Sequence, residues 1–151
     1  MARCFRLAAA LLVISSITVV GCNSSGSNDI FKGQISADNF PSQMSAGETA
    51  QVRLKVTNAS SAKWPSDPKD AVRVSYHWLQ KNGNIIAWDG ERNFIPKALA
   101  PGESTLMDAH IAPPNVPGSY TLELDFVVDG PSGGWFGKKG SSTTRFDVEV
   151  K

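Results

Sequence analysis

VRVSYHWLQKNGNIIAWDG, residues 72–90, decides the fold of this chain. Its first half alternates: Val72, Val74, Tyr76 and Trp78 face one way, Arg73, Ser75, His77 and Leu79 the other. A period of two is that of a strand with one buried face. Lys81-Asn82-Gly83-Asn84 follows, and Asn-Gly tolerates positive φ at both central positions, so the spacing predicts a type I′ turn. Ile85, Ile86, Ala87 and Trp88 then return as a second strand. A hairpin with a large aromatic on each arm nucleates a small β domain.

Upstream and downstream the same period recurs. Residues 31–40 read as an irregular first strand closed by Pro41. Val52, Leu54 and Val56 point inward from a strand over 50–57, and Thr105, Met107, Ala109 and Ile111 share a face over 105–111. Pro96 forbids a central strand over 93–99. Tyr120, Leu122, Leu124 and Phe126 alternate with Thr121, Glu123 and Asp125 in the most regular strand, and Phe146, Val148 and Val150 line the last. Seven short strands with frequent turn signals and no helical period predict an all-β chain. The expected architecture is an Ig- or fibronectin-like antiparallel β-sandwich, with an open barrel as the alternative. Trp78 on the third strand fits the core tryptophan of such folds. Pro117-Gly118-Ser119-Tyr120 fits a tyrosine corner.

The N-terminus supplies an address. Arg3 and Arg6 precede a 14-residue apolar run, Leu7 to Val20. That is short for a membrane span and right for a signal peptide. The run ends in Val19-Val20-Gly21-Cys22, which resembles a bacterial lipobox. Residues 1–21 are therefore expected to be a lipoprotein signal peptide. Cys22 is the expected lipidation site, 22–30 a polar tether, and 31–151 the sandwich domain. Asn23 after the lipidated cysteine resembles residues permitting transfer to the outer membrane. The expected location is the cell envelope, lipid-anchored, with the periplasmic side and the cell surface both open. Loss of Arg3 and Arg6 takes the formal charge from +1 to −1, which offers no basic face to nucleic acid. Cys4 leaves with the signal and Cys22 is alkylated, so no disulfide is expected.

The four tryptophans carry a resemblance. Trp64 follows Asn58-Ala59-Ser60, Trp78 stands in Tyr76-His77-Trp78, Trp88 in Trp88-Asp89-Gly90 and Trp135 in Trp135-Phe136. With Pro101-Gly102-Glu103, Ala112-Pro113-Pro114 and Pro117-Gly118-Ser119-Tyr120-Thr121-Leu122, this order resembles the four-tryptophan (FW) Ig-like domain of selective-autophagy receptors and many bacterial proteins. The resemblance covers about 47–150 and implies a binding module rather than an enzyme. It departs at the first tryptophan, where the usual Asn-x-Gly turn reads Asn58-Ala59-Ser60.

Chemistry is scarce. The histidines, His77 and His110, both fall on outward positions and read as surface residues. Two histidines and no cysteine pair argue against zinc. Asp67, Asp70, Asp89, Glu91 and Glu103 lie in loops without calcium-loop spacing. The glycines of 130–140 join two strands rather than opening a helix onto a phosphate, and nothing calls for a cofactor. Catalytic residues are not expected. Trp78, Trp88 and Tyr120 are assigned to the core. Trp64, Trp135, Phe136, Lys138 and Lys139 are the candidate ligand-binding residues, with Phe136 the exposed member if Trp135 is packed. The lysines suit an acidic partner. Two ligand classes follow: another envelope protein, or a polysaccharide stacked on exposed rings.

Overall fold

The computed structural model describes residues 29–151. The signal run, Cys22 and the tether through Asn28 lie outside the described residues.

The strands are β1 (Gly33–Ser36), β2 (Gln43–Met44), β3 (Ala50–Asn58), β4 (Arg73–Gln80), β5 (Ile85–Ala87), β6 (Asn93–Phe94), β7 (Ser104–Ile111), β8 (Gly118–Val128), β9 (Gly134–Trp135) and β10 (Thr144–Val150). They form two sheets. The smaller runs β1-β3-β7, the larger β2-β10-β8-β4-β5, with β6 also on β4 and β9 also on β8. All pairs are antiparallel except β2 with β10. The chain is an Ig-like antiparallel β-sandwich, as its period-two pattern predicts.

The core sits between the sheets. Val52, Leu54 and Val56 of β3 and Met107, Ala109 and Ile111 of β7 face Val74, Tyr76 and Trp78 of β4 and Leu122, Leu124 and Phe126 of β8. Trp78 donates its indole N–H to Ala112 O at 2.9 Å. Tyr120 donates its hydroxyl to Val116 O at 2.9 Å, four residues upstream, as a tyrosine corner requires.

Four expectations are corrected. The first strand is shorter than 31–40: β1 spans only Gly33–Ser36 in the smaller sheet, and a separate β2 beyond Pro41 joins the larger. Phe40 lies between them, stacked on Phe146 at 3.8 Å. The hairpin turn is not type I′, because Asn82 does not have positive φ; Gly83 does (φ 87°). Gly83 donates to Gln80 O and Gln80 N–H to Asn84 O, the three-residue loop with a glycine bulge. Trp88 is not core; it lies half-buried beyond β5 on the outer side of the larger sheet. The outward face of β4 is itself buried: Arg73, Ser75 and His77 are 8%, 0% and 1% exposed. The period-two pattern marks direction correctly but cannot tell that later loops cover the second face.

The Asn58-Ala59-Ser60 loop needs no glycine. Asn58 is fully buried; its Nδ2 donates to Ala62 O and Leu99 O, and its Oδ1 accepts from Ser60 N–H at 2.9 Å. That side chain sets the loop leading to Trp64, which bridges to Leu99.

Candidate functional site

The covered outer face of the larger sheet is where unusual groups converge. In the β4–β8–β10 register His77 lies opposite Glu123, and Glu123 opposite Arg145. These three outward residues form one row across three strands. Arg145 Nε donates to Glu123 Oε2. The next register position places Ser75 opposite Asp125.

Two loops roof this face. From the hairpin, Trp88 lays its indole parallel to His77, with centroids 3.8 Å apart and planes 10° apart. Its carbonyl is bonded to His77 Nδ1. From the loop after β8, Trp135 reaches the same imidazole at 4.2 Å and lies 5.9 Å from Trp88. His77 is thus held between two tryptophans, with Nε2 buried and unpartnered among the described residues. Burial pushes its pKa below the ordinary value, despite the opposing Trp88 carbonyl, Glu123 and Asp89. The expectation of a surface histidine fails at His77. His110 is exposed, as expected.

The glycine-rich loop explains itself locally. Phe136 N–H donates to Phe126 O, continuing the ladder begun by β9 on β8. A 3₁₀ turn over Gly137–Lys139 follows. Gly137 N–H meets both Asp125 oxygens, at 3.1 and 3.0 Å. A Cβ at 137 would stand 2.9 Å from Asp125 Oδ2 and from Thr143 Cγ2, so glycine is what fits. Burial raises the Asp125 carboxyl to about 6, against the lowering pull of the Gly137 and Phe126 amides.

Beside this row a cavity of about 270 Å³ opens to solvent, lined by Trp88, Glu123, Asp125, Gly137, Lys138, Ser141, Thr143 and Arg145. The Lys138 ammonium stands 4.7 Å from the Trp88 ring centroid. Since His77 covers one face of that indole, Lys138 occupies the other. Arg92 lies 5.0 Å over Trp135 and is bonded to Asp89, Ser75 Oγ and Gly90 O.

Of the five candidate ligand residues, Trp64 and Phe136 are corrected outright. They are 1% and 0% exposed and pack together against Phe126 in the core. Trp135 is half-buried against His77. Neighbours in the extended segment do face opposite ways, but the exposed role falls to neither as expected: Trp135 goes to the outer face and Phe136 to the core. Lys138 joins the cavity, while Lys139 turns to Phe31 at 5.2 Å. Trp88, His77, Glu123, Asp125 and Arg145 were the residues missed as site members. For all but Trp88 the signal was present as polar side chains at outward positions of adjacent strands. No group of three or more His, Cys, Asp or Glu is placed to hold a metal ion among the described residues. Nor is any helix there long and apolar enough to cross a membrane.

No protein-family model and no curated protein matches this chain. Solved structures do. A mutant β-glucosidase from Listeria innocua in complex with laminaribiose superposes with a TM-score of 0.50 at 13% identity, covering 80% of this chain and 16% of the enzyme. The CARDB domain of a Pyrococcus furiosus protein gives 0.44 at 17% identity, covering 80% of this chain and 86% of that one. The C-terminal domain of Wzt gives 0.46 at 12%, covering 79% and 70%. The chain thus spans about one sixth of the β-glucosidase it resembles. The likeness to that enzyme is one of fold.

Proposed function

We propose that this chain is a non-catalytic binding module of the four-tryptophan Ig-like kind. It is held at the cell envelope by a lipid on Cys22, and it engages its ligand through the outer face of the larger sheet. The observation that carries this is the cavity beside Trp88: a half-buried aromatic wall, two carboxylates and two cations converge on a concave surface, the general form of a small recognition site. The carboxylates there and His77 each have a fixed partner. Glu123 is tied to Arg145, Asp125 to the Gly137 amide, and His77 to a backbone carbonyl with no serine, threonine or cysteine on it. That favours recognition over catalysis. The anchor rests on the Val19-Val20-Gly21-Cys22 box, and outer-membrane placement on Asn23.

The surface is tested by capture from the native envelope with the full chain. Three forms are compared: the parent, a Trp88→Phe/Arg145→Gln variant, and a control, Leu106→Ala, on the smaller sheet. Parent and control should recover the same protein or polysaccharide components, and the outer-face variant should lose them while melting normally. Equal recovery by all three would place the site elsewhere.

A further inference from the structure

We infer that the Trp88 cavity is a subsite for one pyranose unit of an uncharged glycan. The inference rests on the proposal that the outer face carries the binding site, and it names the ligand class.

Size comes first. A cavity of about 270 Å³ lies just below the usual range of small-molecule sites, about 300–1,000 Å³, and has room for a single ring rather than a peptide segment. The wall comes next. An indole offers a sugar a flat apolar surface only if it cannot rotate away. Trp88 is fixed by the parallel His77 ring behind it and by Trp135 at its edge, planes 65° apart. The face that remains is the one under Lys138, whose exposed chain is free to swing aside.

The rim decides between ligand charges. A pyranose stacked on Trp88 directs hydroxyls sideways, where each needs an acceptor or a donor. Glu123 accepts only one Arg145 bond, so lone pairs remain on its carboxylate. Arg145 is 63% exposed in its side chain and keeps further N–H donors. Ser141 and Thr143 complete the lining. Formal charges in the lining cancel: Glu123 and Asp125 against Lys138 and Arg145. Neither an anionic nor a cationic unit gains net attraction from such a lining, and either would compete with a pair already made, Arg145 with Glu123. A neutral polyhydroxylated ring avoids that competition. On this account Lys138 is a competitor for the Trp88 face rather than a contact for an acidic ligand, the reverse of what the lysine pair suggests in sequence.

The test uses the purified full chain, calorimetry and tryptophan fluorescence. The probes are neutral hexasaccharides of glucose, mannose, galactose and xylose, and one acidic hexasaccharide of galacturonate. At least one neutral probe should bind with Kd of about 1 mM or tighter, and the acidic one should not. Trp88→Ala should weaken that binding about tenfold or more. Trp88→Phe, which keeps a ring against His77, should melt near the parent and retain part of it. Lys138→Ala should bind the neutral probe at least as tightly as the parent. If no neutral probe binds, or if Trp88→Ala folds and binds unchanged, the inference is wrong. It is equally wrong if Lys138→Ala weakens binding while the acidic probe binds the parent. Should envelope capture still depend on the outer face while every neutral probe fails, the surface stands and the sugar class falls. If Trp88→Ala does not fold, Trp88→Phe and Lys138→Ala decide.

Discussion

Replacing Trp64 with alanine separates a core tryptophan from a ligand-binding one, the two roles its loop position leaves open. The side chain is 1% exposed and packs on Phe126 at 4.9 Å and Phe136 at 5.7 Å. A Cβ on Gly33 would reach its ring at 2.7 Å, so β1 has been cleared of side chain where it passes over the indole. The indole N–H donates to Ile30 O at 2.9 Å. Truncating a buried aromatic of this size costs about 3–5 kcal/mol. Orphaning the Ile30 carbonyl adds about 1 kcal/mol, since that oxygen can turn partly to water. Against a total of about 5–15 kcal/mol, a loss of about 4–6 kcal/mol removes much of the stability. With no disulfide expected to limit the unfolded chain, the fall in Tm should be roughly 12–30 °C for a domain of this size. Trp64→Phe should lose less, because the ring contacts survive and only the N–H and part of the area go. Urea titration and thermal melts followed by far-UV circular dichroism give both numbers. A loss under about 1 kcal/mol with an unchanged m-value would refute the core assignment.

Asn58→Ala should cost about 1–3 kcal/mol, because it orphans the buried Ser60 amide and removes one of the two donors to each of Leu99 O and Ala62 O; urea midpoints check it, and a neutral outcome would mean the loop is not set by this side chain. Asp125 has a folded pKa near 6, above its ordinary 3.8. The native state therefore binds more protons between those values, and the stability this group contributes at low pH is lost as pH rises through 6. Asp125→Asn should thus become more stable relative to the parent as pH goes from 4 to 7, read from the difference between two urea series. His77 has the opposite sign: held below its ordinary 6.5, it makes stability fall as pH drops below that value. His77→Phe should flatten this acid limb, and an unchanged limb would show that His77 titrates normally. Cys22→Ser should leave unprocessed precursor without acyl label; a normally processed soluble form would remove the lipid anchor from the proposal.

The inner faces of the strands were legible because burial between sheets imposes a strict alternation. Val52, Leu54 and Val56, or Leu122, Leu124 and Phe126, carry that signal in any order-of-strands arrangement. The outer face was not legible, for a physical reason. His77, Glu123 and Asp125 are ordinary outward residues until two distant loops fold over them, and what those loops cover depends on contacts some 10 to 60 residues away. Polar side chains in the middle of β8 were visible; their burial was not. Trp88 shows the same limit. One residue beyond a three-residue strand, with a bulged turn before it, phase no longer fixes a direction.

The segment from Gly134 to Gly140 ties the two halves of the molecule together. In successive residues it places Trp135 on the outer face against His77, Phe136 in the core against Phe126, and the Gly137 amide on Asp125. It then returns Lys138 to the exposed side of Trp88. Close approach to Asp125 accounts for Gly137 and positive φ for Gly134 and Gly140 (131° and 91°), and a plug on each side of the sheet accounts for the paired aromatics. The composition that reads in sequence as a recognition loop is therefore that of a clamp. Phe136 anchors it from within, which leaves the cavity wall to Trp88 and the cavity's charge balance to Lys138. Losing Phe136 would unseat Trp135 and Lys138 together, so a Phe136→Ala variant that lost ligand would report on folding of the clamp and not on contact. Substitutions at Trp88, Glu123 and Lys138 act on the cavity itself.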